Sequence, residues 1–197
     1  TNAAGTILAN TSVTGFFVNG YCTSSCYTPD QQISFASGDT PILKALDGMI
    51  SGVKTLTADS TIDNIAFTTD DVATYTRELR DSTHVIFDIV TKSGGHLKVT
   101  DKHPVIVDSG RVVEAQSLKT GDKLIKADGT RDAIISVTKT THFGKVYNLK
   151  PVSVNHVSNI IIAQGFLVGS SRYQNEDVDY MNRVILGRSI PKSVIPQ

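Results

Sequence analysis

From Gln31 onward, short runs rich in Val, Ile, Thr and Phe recur at 32–35, 52–56, 85–91, 96–100, 104–107, 123–126, 133–137, 145–149 and 158–163, separated by Gly, Asp and Ser. Runs of this length bounded by turn formers predict strands, and their number predicts an all-β fold. The punctuation agrees. Ser93-Gly94-Gly95, Asp108-Ser109-Gly110, Thr120-Gly121-Asp122 and Asp128-Gly129 each fall between two predicted strands, where a hairpin needs residues tolerant of positive φ. A short helix is expected over 69–77. A second is expected over 178–186, where Val178, Met181, Val184 and Ile185 give partial helical spacing. Residues 1–25 are rich in Thr, Asn, Gly and Ser around Gly15-Phe16-Phe17-Val18, and read as a strand or two in a polar connector. No repeat of solenoid or propeller period is present.

Composition narrows the class. The chain has 197 residues, enough for one well-cored domain, and 40% of them are hydrophobic. Lys+Arg and Asp+Glu balance at 19 each with no long charge run, which argues against a nucleic-acid surface and against a disordered tail. The longest apolar run, Ile160-Ile161-Ile162-Ala163, is far short of a membrane span, and the first residues lack a signal peptide's basic start and apolar run. A soluble monomer is expected. The chain starts at Thr1 rather than Met, so its localisation is left open, and an extracellular setting within a larger secreted protein is compatible with it.

Two cysteines, Cys22 and Cys26, are the whole thiol inventory, four apart in Cys22-Thr23-Ser24-Ser25-Cys26. They are too few for a metal site or a disulfide framework. Three readings stay open: a local disulfide, two inert thiols, or one reactive thiol with a neighbour able to mask it. Cysteine suits covalent catalysis near neutral pH because part of it is already thiolate. Of the five histidines, His84, His142 and His156 sit in no motif, and His96 alternates with Lys98 as a surface strand residue would. His103 lies in a longer pattern.

That pattern is Gly95-His96-Leu97-Lys98-Val99-Thr100-Asp101-Lys102-His103-Pro104-Val105, followed by Ala115-Gln116-Ser117-Leu118 and Gly121-Asp122. It resembles the second conserved block of Hint domains, the self-cleaving modules of hedgehog proteins and inteins. Cys26-Tyr27-Thr28-Pro29-Asp30-Gln31-Gln32-Ile33 is similar to the family's opening block, which begins with the nucleophile. Val146-Tyr147-Asn148-Leu149 and Ile161-Ile162-Ala163-Gln164-Gly165-Phe166-Leu167-Val168 resemble its two closing strands. The resemblance runs over residues 26–170, leaving an upstream arm at 1–25 and a downstream extension at 171–197. It implies a compact horseshoe of short strands with pseudo-two-fold character and minor helix, whose two ends meet.

It also implies a chemistry: autocatalytic cleavage of the Ser25–Cys26 bond, single-turnover, with no metal or organic cofactor. Cys26 would attack the Ser25 carbonyl and form a thioester, His103 would protonate the departing nitrogen, and Thr100 would orient the bond. Holding the thiol against its neighbouring carbonyl makes the attack intramolecular, worth up to about 7–11 kcal/mol in favourable models. An imidazole with an ordinary pKa of about 6.5 suits both base and acid roles. The substrate is the chain's own upstream polypeptide, with water or a small thiol, amine or alcohol resolving the thioester. Departures limit the reaction. Gly169-Ser170 replace the His-Asn that ends an intein, so asparagine cyclisation and full splicing are not expected. Asn148 stands where Asp or Cys is usual, and Asn159 where an auxiliary His often sits, with His156 nearby. Asn148, His156 and Asp122 are therefore auxiliary candidates, Asp122 foremost as the shaper of a Gly-Asp turn. A Cys22–Cys26 disulfide would cap the nucleophile and make cleavage depend on reduction. The competing readings are a catalytically inactive Hint-like interaction module and an ordinary β-rich adhesion module with a structural disulfide.

Overall fold

A computed structural model describes residues 25–174. Strand β1 (Gln32–Phe35) forms a hairpin with β2 (Gly38–Pro41), and the chain then enters helix α1 (Ile42–Asp47). Pro41, with φ −54°, sets the entry angle, and one turn's worth of apolar residues (Ile42, Ala45 and Leu46) anchors the helix in the core. Strands β3 (Val53–Leu56) and β4 (Phe67–Asp70) pair antiparallel. Next come β5 (Val72–Arg77), β6 (Ser82–Thr91), β7 (His96–Thr100), β8 (Pro104–Ile106) and β9 (Val112–Glu114), then a 3₁₀ turn at Ala115–Ser117. The second half holds β10 (Lys123–Ile125), β11 (Arg131–Gly144), β12 (Tyr147–Pro151), a 3₁₀ turn at Val157–Asn159, β13 (Ile160–Ala163), β14 (Phe166–Gly169) and a final 3₁₀ turn at Ser171–Gln174.

The strands form three sheets. The largest runs β2-β1-β3-β13-β14-β8-β9 with β4 on the side of β3, a second runs β10-β11-β6-β7, and β12 pairs with β5 alone. The opening strand meets the penultimate one, Ile33 of β1 opposite Ala163 of β13, with the last strand β14 next in the sheet, so the two ends of the strand sequence come together as expected. Strand β13 is buried along its whole length because β3, β1 and β14 flank it and both of its faces are covered. Its alternation divides the interior: Ile161 and Ala163 enter the main core with Tyr27, Phe35, Leu97 and Val168, whereas Ile160 and Ile162 enter a second cluster with Leu56, Ile106, Val112 and Tyr173. Among the described residues no helix is long and apolar enough to cross a membrane.

Three expectations need correction or extension. The segment 69–77 is not helical but the end of β4 and all of β5. A β-bulge lets Pro151 pair with Val72 and Lys150 with Thr74, so the buried Val72 and Tyr75 lie three apart, the spacing of a helix face. The Thr120-Gly121-Asp122 turn does not close a hairpin, because β9 pairs with β8 and β10 with β11. It redirects the chain from one sheet to another, with Gly121 at φ 95°. Strand β11 extends well beyond 133–137 to Gly144, its Thr-rich second half laddering with β6 as far as Ser82. The helix expected over 178–186 lies outside the described residues.

Candidate active site

The first described residues are gripped on both sides. Tyr27 bridges Val99 on β7 and Tyr147 on β12, its N–H donating to the Tyr147 carbonyl at 2.8 Å and its carbonyl accepting from Tyr147 N–H at 3.0 Å. One residue earlier, the Thr100 N–H donates to the Cys26 carbonyl at 2.9 Å. This wedge between the end of β7 and the start of β12 holds the Ser25–Cys26 peptide bond in the interior, with both residues buried.

Thr100 and His103 reach that bond through a tight turn. The His103 N–H donates to the Thr100 carbonyl at 3.1 Å, so the spacing of three is the span of one β-turn joining β7 to β8. The His103 carbonyl accepts from Ala115 N–H at 2.9 Å, and the Asp101 carbonyl from Gln116 N–H at 2.8 Å, which pins the turn against the following 3₁₀ segment. The Thr100 hydroxyl accepts from the Cys26 N–H at 2.8 Å. On the other side of the bond, Asn148 Nδ2 donates to the Ser25 carbonyl oxygen, and Asn148 Oδ1 accepts from Leu149 N–H at 2.8 Å. The Cys26 side chain packs with Ile86 and Val146.

The imidazole of His103 is fully buried, its ring meeting that of Tyr27 edge-on at 4.3 Å between centroids. Neither ring nitrogen makes a well-formed hydrogen bond. Burial lowers its pKa to about 3, against an opposing contribution from the Ser25 backbone. The ring is therefore neutral at rest. The Tyr27 phenol is buried too, and desolvation raises its pKa well above the ordinary value. Cys26 is disulfide-bonded. Cys22, the chain's other cysteine, lies outside the described residues.

Of the sequence candidates, Cys26, Thr100, His103 and Asn148 converge on the Ser25–Cys26 bond, and Asp122 and His156 are engaged elsewhere. The Asp122 carboxylate accepts from Lys119 N–H at 3.0 Å, and its backbone pairs with Ile134 and Lys119. It closes the redirecting turn. The His156 carbonyl accepts from the Tyr173 hydroxyl at 2.9 Å, where the chain leaves the last strand. There Asn159 is a clamp: its Nδ2 donates to the Ser153 and Asn155 carbonyls and its Oδ1 accepts from the Ser170 hydroxyl at 3.0 Å. Tyr27, which presses on His103, was not singled out from the sequence; its position directly after the candidate nucleophile is the one signal that could have found it.

Residues 39–170 match the family model of the pretoxin Hint domain. No curated protein sequence matches the chain. Among solved structures it is similar to a bacterial intein-like domain from Clostridium thermocellum, with a TM-score of 0.60 at 20% identity over 75% of this chain and 100% of that one. It is likewise similar to a DnaB intein from Synechocystis sp. PCC 6803, with a TM-score of 0.57 at 18% identity over 74% of this chain and 98% of that one. The PabCDC21-1 intein gives a TM-score of 0.55 at 15% identity over 75% and 99% of the two chains.

Proposed function

The chain belongs to the pretoxin Hint family of intein-like autoprocessing domains, and on that premise we propose that it cleaves its own backbone at Ser25–Cys26 through a thioester, without splicing. The observation that carries this reading is the convergence on one buried peptide bond, with the Thr100 hydroxyl on its nitrogen and the His103 ring beside the Ser25 backbone. The disulfide at Cys26 must first be reduced, and with two cysteines in the chain Cys22 is the inferred partner. The freed thiol then gives its proton to neutral His103 and attacks the Ser25 carbonyl. His103, now charged in a site that disfavours charge, returns the proton to the departing nitrogen of Cys26. Thr100 holds that N–H and so fixes the plane of the amide during attack. An external nucleophile resolves the thioester and releases residues 1–25 with whatever precedes them. The family's description ties such domains to pretoxins, which makes a toxin precursor the class of polypeptide proposed for this cleavage.

Intact-mass measurement of the chain incubated with and without dithiothreitol tests the reading. Loss of residues 1–25 is expected in the reduced chain alone, and Cys26→Ala should abolish it. The competing reading, a retired interaction module, draws on the oxidised state of Cys26. A mass unchanged after long incubation with thiol and hydroxylamine would establish that alternative.

A further inference from the structure

We propose that the side-chain amide of Asn148 is the oxyanion donor of this acyl shift, a catalytic role that rests on the reading of Cys26 as the attacking group. Three observations combine. Asn148 Nδ2 donates to the Ser25 oxygen, the atom on which charge grows when a nucleophile adds to that carbonyl. The other end of the amide is committed, since Oδ1 accepts the N–H of Leu149 at 2.8 Å, and this selects the orientation in which nitrogen faces the carbonyl. The residue is wholly buried, and its register is fixed by two neighbours: Tyr147 is bridged to Tyr27, and Asn148 itself pairs with Thr76 on β5. A preorganised donor in a water-excluded site strengthens as the oxygen becomes anionic and needs no reorganisation at the moment of reaction.

The step balances without a redox change. Cys26 Sγ forms a bond to the Ser25 carbonyl carbon while the carbonyl π pair moves to the oxygen held by Asn148. On collapse the pair re-forms the carbonyl, the carbon–nitrogen bond breaks, and the Cys26 nitrogen leaves with the proton that His103 took from the thiol. Amide and thiol become thioester and amine. The bond is held at both of its polar atoms: the Thr100 hydroxyl receives the Cys26 N–H, Asn148 donates to the Ser25 oxygen, and His103 beside the Ser25 backbone carries the proton from thiol to nitrogen.

The test follows cleavage of the full chain with dithiothreitol and hydroxylamine, comparing the unsubstituted protein with Asn148→Leu. Loss of one such donor slows the reaction by about 10²–10³-fold, and that loss is expected in a variant whose circular dichroism is unchanged. A folded Asn148→Leu cleaving at the parent rate overturns the proposal and leaves the autoprocessing reading standing. If the parent itself does not cleave, both fall together. Should Asn148→Leu fail to fold, Asn148→Ala removes the same donor with less added bulk, and a folded Asn148→Ala cleaving at the parent rate likewise overturns the proposal. In the uncleavable Cys26→Ala background a ¹³C label on the Ser25 carbonyl reports the bond directly. Its resonance should move on Asn148→Leu, and a resonance that stays in place overturns the proposal.

Discussion

His103 is the residue on which the site's acid–base behaviour turns. An imidazole buried with neither nitrogen well hydrogen-bonded is held neutral by desolvation, its pKa near 3 rather than 6.5. Between those values the unfolded chain takes up a proton that the folded ring refuses, so the unfolded state binds more protons. Stability is then fully present above about pH 6.5 and falls on acidification, by up to about 1.4 kcal/mol per pH unit until the folded pKa is reached. Chemical denaturation across that range, in the Cys26→Ala background, should show this slope, and His103→Asn should remove it; an equal slope in both proteins would mean another group is responsible. That Thr100 and His103 lie together was legible in the sequence because they are the two ends of a single turn, a local spacing. Asn148 was named there as a departure and an auxiliary candidate, without a role. Its contact joins residues 123 apart and depends on how β12 registers against the start of the chain, which no local pattern encodes.

Among the elements, the β6–β7 hairpin does most to aim the site, because β7 ends at Thr100. Its turn requires glycine twice, for different reasons. Gly94 adopts φ 88°, whereas Gly95 has no room for a side chain: a Cβ there would lie 2.3 Å from the Phe166 ring and 2.7 Å from the Thr91 hydroxyl. Gly95→Ala should push Phe166 of β14 aside and cost about 1–3 kcal/mol, the usual penalty of overpacking, read as a lowered denaturation midpoint. A midpoint matching the parent would show that the ring yields freely. The β-branched runs were readable as strands because alternation and turn residues agree over them. Helix α1 left no signal, since six residues supply a single turn's spacing. The bulge at Ala73 imitated a helix by placing Val72 and Tyr75 on one side. Sequence periodicity reports which side chains share a face; it does not report which strand covers that face, and the true end of β11 was set by its partner β6.

At the scale of the whole molecule, the large sheet formed by the described residues separates two hydrophobic clusters and joins the opening strand β1 to β13, close to the end of the strand sequence. The all-β class and the meeting of the ends were both legible, the first from strand punctuation and the second from the motif order. The proposed mask belongs to this scale because it joins the body to the upstream arm. Cys22→Ser should leave cleavage active and make it indifferent to oxidant, as followed by intact mass. Oxidant sensitivity persisting in that variant would rule out Cys22 as the cap. The double bridging of Tyr27 bears on what happens once the bond is cut. The new amine of Cys26 cannot drift away, because the next residue is fastened to β7 and β12 and the nitrogen itself rests on Thr100. It waits beside the thioester as a captive competitor at high effective concentration, able to restore the original amide. Under the proposed chemistry the domain therefore idles, opening and resealing the same bond, and irreversibility comes from whichever outside nucleophile intervenes before the chain heals itself.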